Sequence, residues 1–379
     1  RMREMLKDEY PAYLEKLNDP ARKGLRINTL KITPDDFFAC TNYELEKSPF
    51  AKHGYYANIK SGIGFTPEHM AGFFYIQEPS ASSAVTILNP KPGMKVLDMC
   101  AAPGSKSTQI AEMLEQEGLL VANEIHPTRS HVLLENIERC GSANTIVLNN
   151  DPKDISKAFP TFFDMVLCDA PCSGEGMFRK EDQAVEQWSL ENVQACALRQ
   201  SYILEEAYKC VKPGGIMVYS TCTFAIEENE LCIQKFIQEH PDMHLVPIEV
   251  DFGRKAFDFG CHTDYARRIF PMDGGEGHFI AKLQKDGIST ESTVKLMQSQ
   301  ALPKEAKEFF DTFFVNQYPY YFVKNNKIYG GTQPFYEVGK CHLLRHQIFL
   351  GEMEKNRFTP SHALFMSAYT KFQNTINLE

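Results

Sequence analysis

The chain has no run of apolar residues approaching the roughly 18 that a membrane span needs. It shows no charged-then-apolar leader either, so a cytoplasmic protein is expected, with no membrane partner. Its eleven cysteines are an odd number without a repeating framework or a pair of CxxC motifs at zinc spacing. That argues against a disulfide scaffold and a structural metal site, and reads as reduced thiols with no bound metal. Neither GxGxxG nor GxxxxGK[ST] occurs, which disfavours a dinucleotide or a nucleoside triphosphate as ligand. There is no internal repeat and no low-complexity tract. An overall positive charge is also missing, the net being −9. Residues 1–60 nevertheless hold 11 Lys and Arg against 9 Asp and Glu, and residues 288–379 hold 10 against 8. The acidity is confined to the centre, and it is patches rather than totals that attract phosphates.

What is present is enough apolar residue, 43% of 379, to bury a core in two or three domains. The ends, Arg1 and Asn377-Leu378-Glu379, read as artificial boundaries. The middle of the chain alternates short apolar runs with amphipathic stretches, the rhythm of an α/β sheet with helices on both faces. Strands are expected at Met94–Met99, Leu119–Asn123, Thr145–Leu148, Met165–Cys168, Ile216–Tyr219 and His278–Leu283. Helices are expected at Ser105–Leu114, Thr128–Cys140, Leu190–Cys210 and Glu227–His240, the third stopped by "KPGG". "HTDYARRIFPMDGGEG" carries too much glycine and charge for regular structure and reads as a loop. The expected division is a module at 1–75, a Rossmann-like domain at 76–287 and an extension at 288–379.

Ligands of such sheets bind beyond the carboxyl ends of the strands. After the first strand comes "DMCAAPGSKS", where Gly104 allows close backbone approach and a new helix offers free N–H groups to an anion. Glu124 ends the second strand, where an acid can hold two ribose hydroxyls; Asp151 follows the third and Asp169 the fourth. Alone, each acid reads as a cap or turn residue. Together, beside a glycine loop, they point to an adenosine-bearing ligand with a carboxylate and no pyrophosphate, which describes S-adenosylmethionine.

Two thiols fall at the same edge: Cys172 in "CDAPCSG" and Cys222 in "YSTCTF". Cys222 is expected just before a helix whose first turn is Glu227-Glu228, a setting that favours a thiolate. A methyl donor and a thiol are both needed when the acceptor is carbon 5 of cytosine. Thiolate attack at carbon 6 makes carbon 5 nucleophilic, and an acid such as Asp169 can hydrogen-bond ring nitrogen 3 as charge develops. Spacing alone leaves open which cysteine attacks.

"LDMCAAPGSKS", "CDAPCSGEGMF" and "YSTCTF", with "GLRINTLK" and "QEPSAS" upstream, closely resemble the NOL1/NOP2/Sun family of RNA cytosine-5 methyltransferases. "GEGMF" and the long extension resemble its bacterial RsmF (YebU) ribosomal RNA branch. The likeness covers residues 1 to about 285; the remainder matches by position only. It implies cofactor contacts from Cys100, Ala101, Ala102, Pro103, Gly104, Ser105 and Lys106, with Glu124 on the ribose, Asp151 near the adenine and Asp169 near the methionine end and the base. It makes Cys222 the nucleophile and Cys172 the thiol that assists product release, whereas DNA cytosine methyltransferases attack with the cysteine after proline. Ser105 and Ser107 stand where many members have glycine and threonine.

The flanks are expected to hold RNA. "GLRINTLK" alternates like a strand within a small RNA-recognition-like module, and Arg26, Asn28 and Lys31 are candidate phosphate contacts, although a solvated strand face is an equally good reading. Thr33 and Pro34 read as the cap and first residue of a helix. The aromatic stretch from Phe309 to Tyr329 reads as the core of a β-rich mini-domain in preference to a base-stacking platform. The expected activity is cytosine-5 methylation of small-subunit 16S ribosomal RNA by a monomer. Transfer RNA methylation, DNA cytosine methylation, small-molecule methylation and a catalytically silent assembly factor of the same fold are the alternatives.

Overall fold

A computed structural model describes residues 1–58, 62–289 and 292–373; the closing Asn377-Leu378-Glu379 lies outside them. Helices α1 (Met2–Leu6) and α2 (Tyr10–Leu17) lead into an antiparallel sheet of β1 (Gly24–Ile27), β2 (Leu45–Lys47), β3 (Gly54–Ala57) and β4 (Phe74–Gln77), ordered β2-β3-β1-β4. With it go α3 (Pro34–Cys40) and α4 (Pro67–Met70). Thr33 caps α3 by accepting from the Asp36 N–H, and Pro34 opens the helix as expected. The boundary expected at residue 75 falls inside β4, which pairs with β1 and therefore belongs to this sheet. The module is not free-standing, because Leu6 and Tyr13 of the first helices pack with Phe224 and Phe270 of the next domain.

That domain runs through α5 (Ser83–Leu88), β5 (Lys95–Asp98), α6 (Ser105–Met113), β6 (Leu119–Asn123), α7 (Pro127–Arg139), β7 (Thr145–Leu148), α8 (Pro152–Ala158) and β8 (Phe163–Asp169). It continues with α9 (Asp182–Gln187), α10 (Leu190–Cys210), β9 (Val211–Thr221), α11 (Glu230–Glu239), β10 (Met243–Leu245), β11 (Arg254–Lys255), β12 (Arg267–Ile269) and β13 (His278–Lys285). Strands β5 to β9 are parallel, and the sheet order β13-β9-β8-β5-β6-β7 places the reversal of winding between β8 and β5. Alternate residues feed two cores. Leu97, Val121, Ile146, Val166 and Met217 enter one, and Val96, Leu120, Val147, Leu167 and Val218 enter the other, so both faces are covered by helices.

Three sequence expectations need correction. The strand expected from Ile216 begins at Val211: "KPGG" lies within it, with Gly214 at φ +79° and a register shift opposite Phe163–Met165, the signature of a bulge. The stretch read as a loop contains β12, which pairs with both β11 and β13. Its charge is compatible with a strand because Arg268, 1% exposed, is neutralised by Glu230. The helix expected from Glu227 begins at Glu230.

The extension holds α12 (Lys304–Phe313), β14 (Tyr320–Lys324), β15 (Lys327–Gly331), β16 (Leu343–His346), β17 (Ile348–Glu354), β18 (Arg357–Pro360) and α13 (His362–Met366). Four of its strands form a small antiparallel sheet, β14-β15-β17-β18, over a core of Phe310, Phe314, Tyr318 and Ile328, so these aromatics are packing residues. Strand β16 leaves that sheet and adds antiparallel to β7, completing the edge of the central sheet.

Candidate active site

Where the winding reverses, the carboxyl ends of β5 to β9 open into a cavity of about 420 Å3, within the range of small-molecule sites. Every one of these strands contributes residues from its carboxyl end: Met99, Cys100 and Ala102 after β5, Asn123 and Glu124 with β6, Asp151 after β7, Asp169 and Cys172 with β8, Cys222 after β9. The far wall is Arg199, Tyr202 and Ile203, which share one face of α10 by their i, i+3, i+4 spacing. That spacing is the only sequence signal that marks them.

Of the seven loop residues from Cys100 to Lys106, Cys100 and Ala102 line the cavity. Ala101 is packed into the core below. The carbonyls of Ala102 and Pro103 accept from Arg129 (2.8 Å) and Asn136 (2.9 Å), which pins the loop to α7. Gly104, at φ +110°, meets α7 and not the cavity: a Cβ there would stand 3.2 Å from Leu133 Cδ1. Ser105 Oγ donates to Gln77 at 2.5 Å. Lys106 turns to Asp169, Nζ to Oδ2 2.7 Å.

Asp169 also accepts from Ser220 Oγ at 2.7 Å. Burial alone would raise its pKa; the Lys106 ammonium, aided by hydrogen bonds from Lys106 and Ser220, outweighs burial and holds the carboxyl below its ordinary value. Glu124 is buried, accepts from the His126 N–H at 2.9 Å and faces the Arg129 guanidinium at 3.6 Å. Asp151 is partly committed: it caps α8 through the Lys153 N–H (2.9 Å) and accepts from Tyr202 Oη.

The two cysteines meet. Cys172 Sγ and Cys222 Sγ are 3.3 Å apart. The hydrogen bond to Cys222, then burial, push the Cys172 thiol well above its ordinary pKa, so Cys172 keeps its proton. The expected helix end beside Cys222 is absent, since α11 starts eight residues later. Glu228, read from sequence as part of that helix, is instead fully buried and accepts from the Ser173 N–H (3.0 Å), Ser173 Oγ and Gln200 Nε2 (2.8 Å). Gln200 Nε2 also donates to the Pro171 carbonyl at 2.9 Å. Nothing in the sequence marks this tie, because its partners are 28 and 55 residues from Glu228.

The candidate phosphate contacts lie elsewhere. Arg26 is 1% exposed and pairs with Glu112 of α6 while donating to Thr108 Oγ1 at 2.8 Å. Asn28, also buried, donates to the Gly72 and Cys140 carbonyls at 2.8 and 2.9 Å. Lys31 Nζ donates to the Met366 carbonyl of α13, and burial lowers its pKa to about 8. All three bind the N-terminal sheet to other parts of the chain; Arg26 and Asn28 are left no free face for a phosphate, and Lys31 is half-buried. No helix among the described residues is long and apolar enough to cross a membrane, and no group of three or more His, Cys, Asp or Glu side chains there could hold a metal ion.

Residues 85–284 match the family model described as 16S rRNA methyltransferase RsmB/F. Residues 1–79 match the N-terminal domain of 16S rRNA methyltransferase RsmF, and residues 306–367 its first C-terminal domain. Ribosomal RNA small subunit methyltransferase F of Vibrio vulnificus is 40% identical over 292 residues, 73% of this chain and 60% of that protein. The protein of the same name from Aeromonas salmonicida is 38% identical over 277 residues, 70% of this chain and 58% of that one. The chain therefore spans about 60% of the length of the curated relatives it matches. Among solved structures, a methyltransferase homologue from Pyrococcus horikoshii is 31% identical with a TM-score of 0.67, over 75% of this chain and 93% of that one. NSun6 from the same organism, solved with SFG, shares the fold at 22% identity and a TM-score of 0.65, over 76% of this chain and 97% of that one. With the match of 85–284 covering the whole strand array around the cavity, the chain belongs to the 16S rRNA methyltransferase RsmB/F family, a family of S-adenosylmethionine-dependent enzymes.

Proposed function

We propose that this chain transfers a methyl group from S-adenosylmethionine to carbon 5 of a cytidine in small-subunit 16S ribosomal RNA. The observation that carries the reading is the pair of thiols, 3.3 Å apart, at the wall of the strand-end cavity beside Asp169. Methylation of an amine, hydroxyl or phenol has no use for a thiol there; carbon 5 of cytosine does.

The cavity fits the cofactor in size and in donor set. Glu124, Asp151, Tyr202, Cys100 and Ala102 all line it; in this reading Glu124 would accept from ribose hydroxyls and Asp151 would hold the adenine. SFG, held by the NSun6 neighbour, is an analogue of S-adenosylmethionine. When bound, S-adenosylmethionine supplies an electrophilic methyl group. The chain supplies the rest. Cys222 attacks carbon 6 of the cytosine ring, and Asp169, held ionised by Lys106, accepts from the exocyclic amine, or from ring nitrogen 3 once that nitrogen has taken a proton from water. Carbon 5 would then receive the methyl group, and its proton would pass to water as the C5–C6 double bond re-forms and the Cys222 sulfur departs. Cys172, kept protonated by its hydrogen bond to Cys222 and by burial, is the proton donor at hand when the Cys222–carbon 6 bond breaks.

Trapping with RNA that contains 5-fluorocytosine tests this, because fluorine at carbon 5 blocks the final loss and leaves the adduct in place. A covalent complex is expected with Cys172→Ser and none with Cys222→Ser. An adduct that persists in Cys222→Ser and vanishes in Cys172→Ser would transfer the nucleophile's role to Cys172, the DNA-type arrangement. Cofactor binding with no adduct and no methylated RNA from the unaltered chain would favour a silent assembly factor.

A further inference from the structure

The two thiols are held together by more than their own contact. Strands β8 and β9 are parallel neighbours with Asp169 opposite Ser220, so the loops after them leave the sheet side by side. Just beyond the cysteines these loops are tied to each other. Ser173 Oγ lies 2.8 Å from Thr223 Oγ1, the Ser173 N–H donates to Glu228, and the Gly176 N–H donates to the Cys222 carbonyl at 2.8 Å. Folding has thus already removed most of the loop freedom that opposes joining two cysteines. Both line a cavity wide enough for a small oxidant. By contrast Cys140, Cys168, Cys196, Cys210 and Cys232 are buried, and among the described residues no other two thiols share a hydrogen bond.

We propose that Cys172 and Cys222 form a site of reversible oxidative modification, closed to an intramolecular disulfide by a hydroperoxide. In the first step one thiolate sulfur attacks a peroxide oxygen. The O–O bond breaks, water leaves after protonation, and a sulfenic acid remains. The second sulfur then attacks the sulfenic sulfur, an S–S bond forms, and the departing hydroxide takes up the second thiol's proton as another water. Two thiols are oxidised by two electrons while one hydrogen peroxide is reduced to two waters, and a dithiol reductant reverses the change. Closure removes both sulfurs from reaction with RNA. It also intercepts the sulfenic acid before the irreversible sulfinic stage. This site goes beyond the proposed methyl transfer, and its chemistry is read without it.

The test is limiting hydrogen peroxide on the full chain, then thiol counting and peptide mapping without reduction. Free thiols are expected to fall by two from the eleven present, with the Cys172 peptide linked to the Cys222 peptide and both changes reversed by dithiothreitol. In Cys172→Ser, sulfenic and sulfinic acid should accumulate at Cys222 with no link. Retention of every thiol, a link between other cysteines, or sulfinic acid forming at Cys222 as fast in the unaltered chain as in Cys172→Ser would overturn the proposal. Mapping of the unaltered chain decides it even if the variant fails to fold.

Discussion

Arg26 is a candidate RNA contact on sequence grounds and a buried structural cation in the fold, and the two roles predict opposite outcomes for Arg26→Met. Arg26 and Glu112 are 1% and 7% exposed. The guanidinium pairs with Glu112 through Nη1 and reaches Thr108 through Nη2, while its Nε has no partner among the described residues. Besides Arg26, Glu112 accepts only from Thr29 Oγ1, at 3.0 Å, among the described residues. Burial raises the pKa of Glu112 despite the cation. Removing one partner of a buried pair strands the other charge and costs about 3–5 kcal/mol, whereas an apolar pair of similar volume is often neutral or better. Arg26→Met should therefore lower unfolding free energy by about 3–5 kcal/mol, and adding Glu112→Leu should restore most of it. Urea unfolding monitored by circular dichroism measures both, with Trp188, the single tryptophan, as a second probe. A loss below about 1 kcal/mol, together with weaker RNA binding and a shallower salt dependence, would refute the structural assignment and reinstate the phosphate contact.

Buried groups and sheet edges set two further expected outcomes. Asp98 is fully buried, accepts from Ser107 at 2.6 Å and has no partner for Oδ1 among the described residues; burial lifts its pKa from 3.8 to about 7. A raised carboxyl pKa favours folding at low pH, so its contribution, full below 3.8, is lost as pH rises through about 7. Asp98→Asn should flatten the fall of the urea midpoint across that window, and an unchanged slope would count against it. Deleting residues 288–379 should bare the β7 edge that β16 covers, where Leu343 faces Leu148 and His346 faces Ile146. Unpaired edges recruit one another, so light scattering should report self-association; a monodisperse monomer of undiminished melting temperature would show that β16 is dispensable.

The strand-end logic is legible in sequence because it depends on local order: an apolar strand, a turn, and the residue next after it. That rule places Cys100, Glu124, Asp151, Asp169, Cys172 and Cys222 on one rim, and the cavity is lined by all six. The Thr33 cap and the mini-domain core of Phe310, Phe314 and Tyr318 are legible for the same reason, local chemistry and composition. The strand at Arg267–Ile269 is not, because its arginine is acceptable only beside Glu230, 38 residues away.

What the sequence by itself determined is therefore the alternation of strands and helices and the chemical character of each strand end, since both are set by neighbours along the chain. Only the tertiary structure decided which charges face outward and which groups touch. Arg26 and Asn28 sit in a short stretch that could equally present its polar face to RNA, and the docking of that stretch on α6 and α7 buries it. Glu228 could equally cap a helix, and the approach of two loops makes it the acceptor that fixes the Cys172–Cys222 pair. In each case the deciding partner lies at least 28 residues away, where desolvation and hydrogen-bond satisfaction act on contacts that no local pattern encodes.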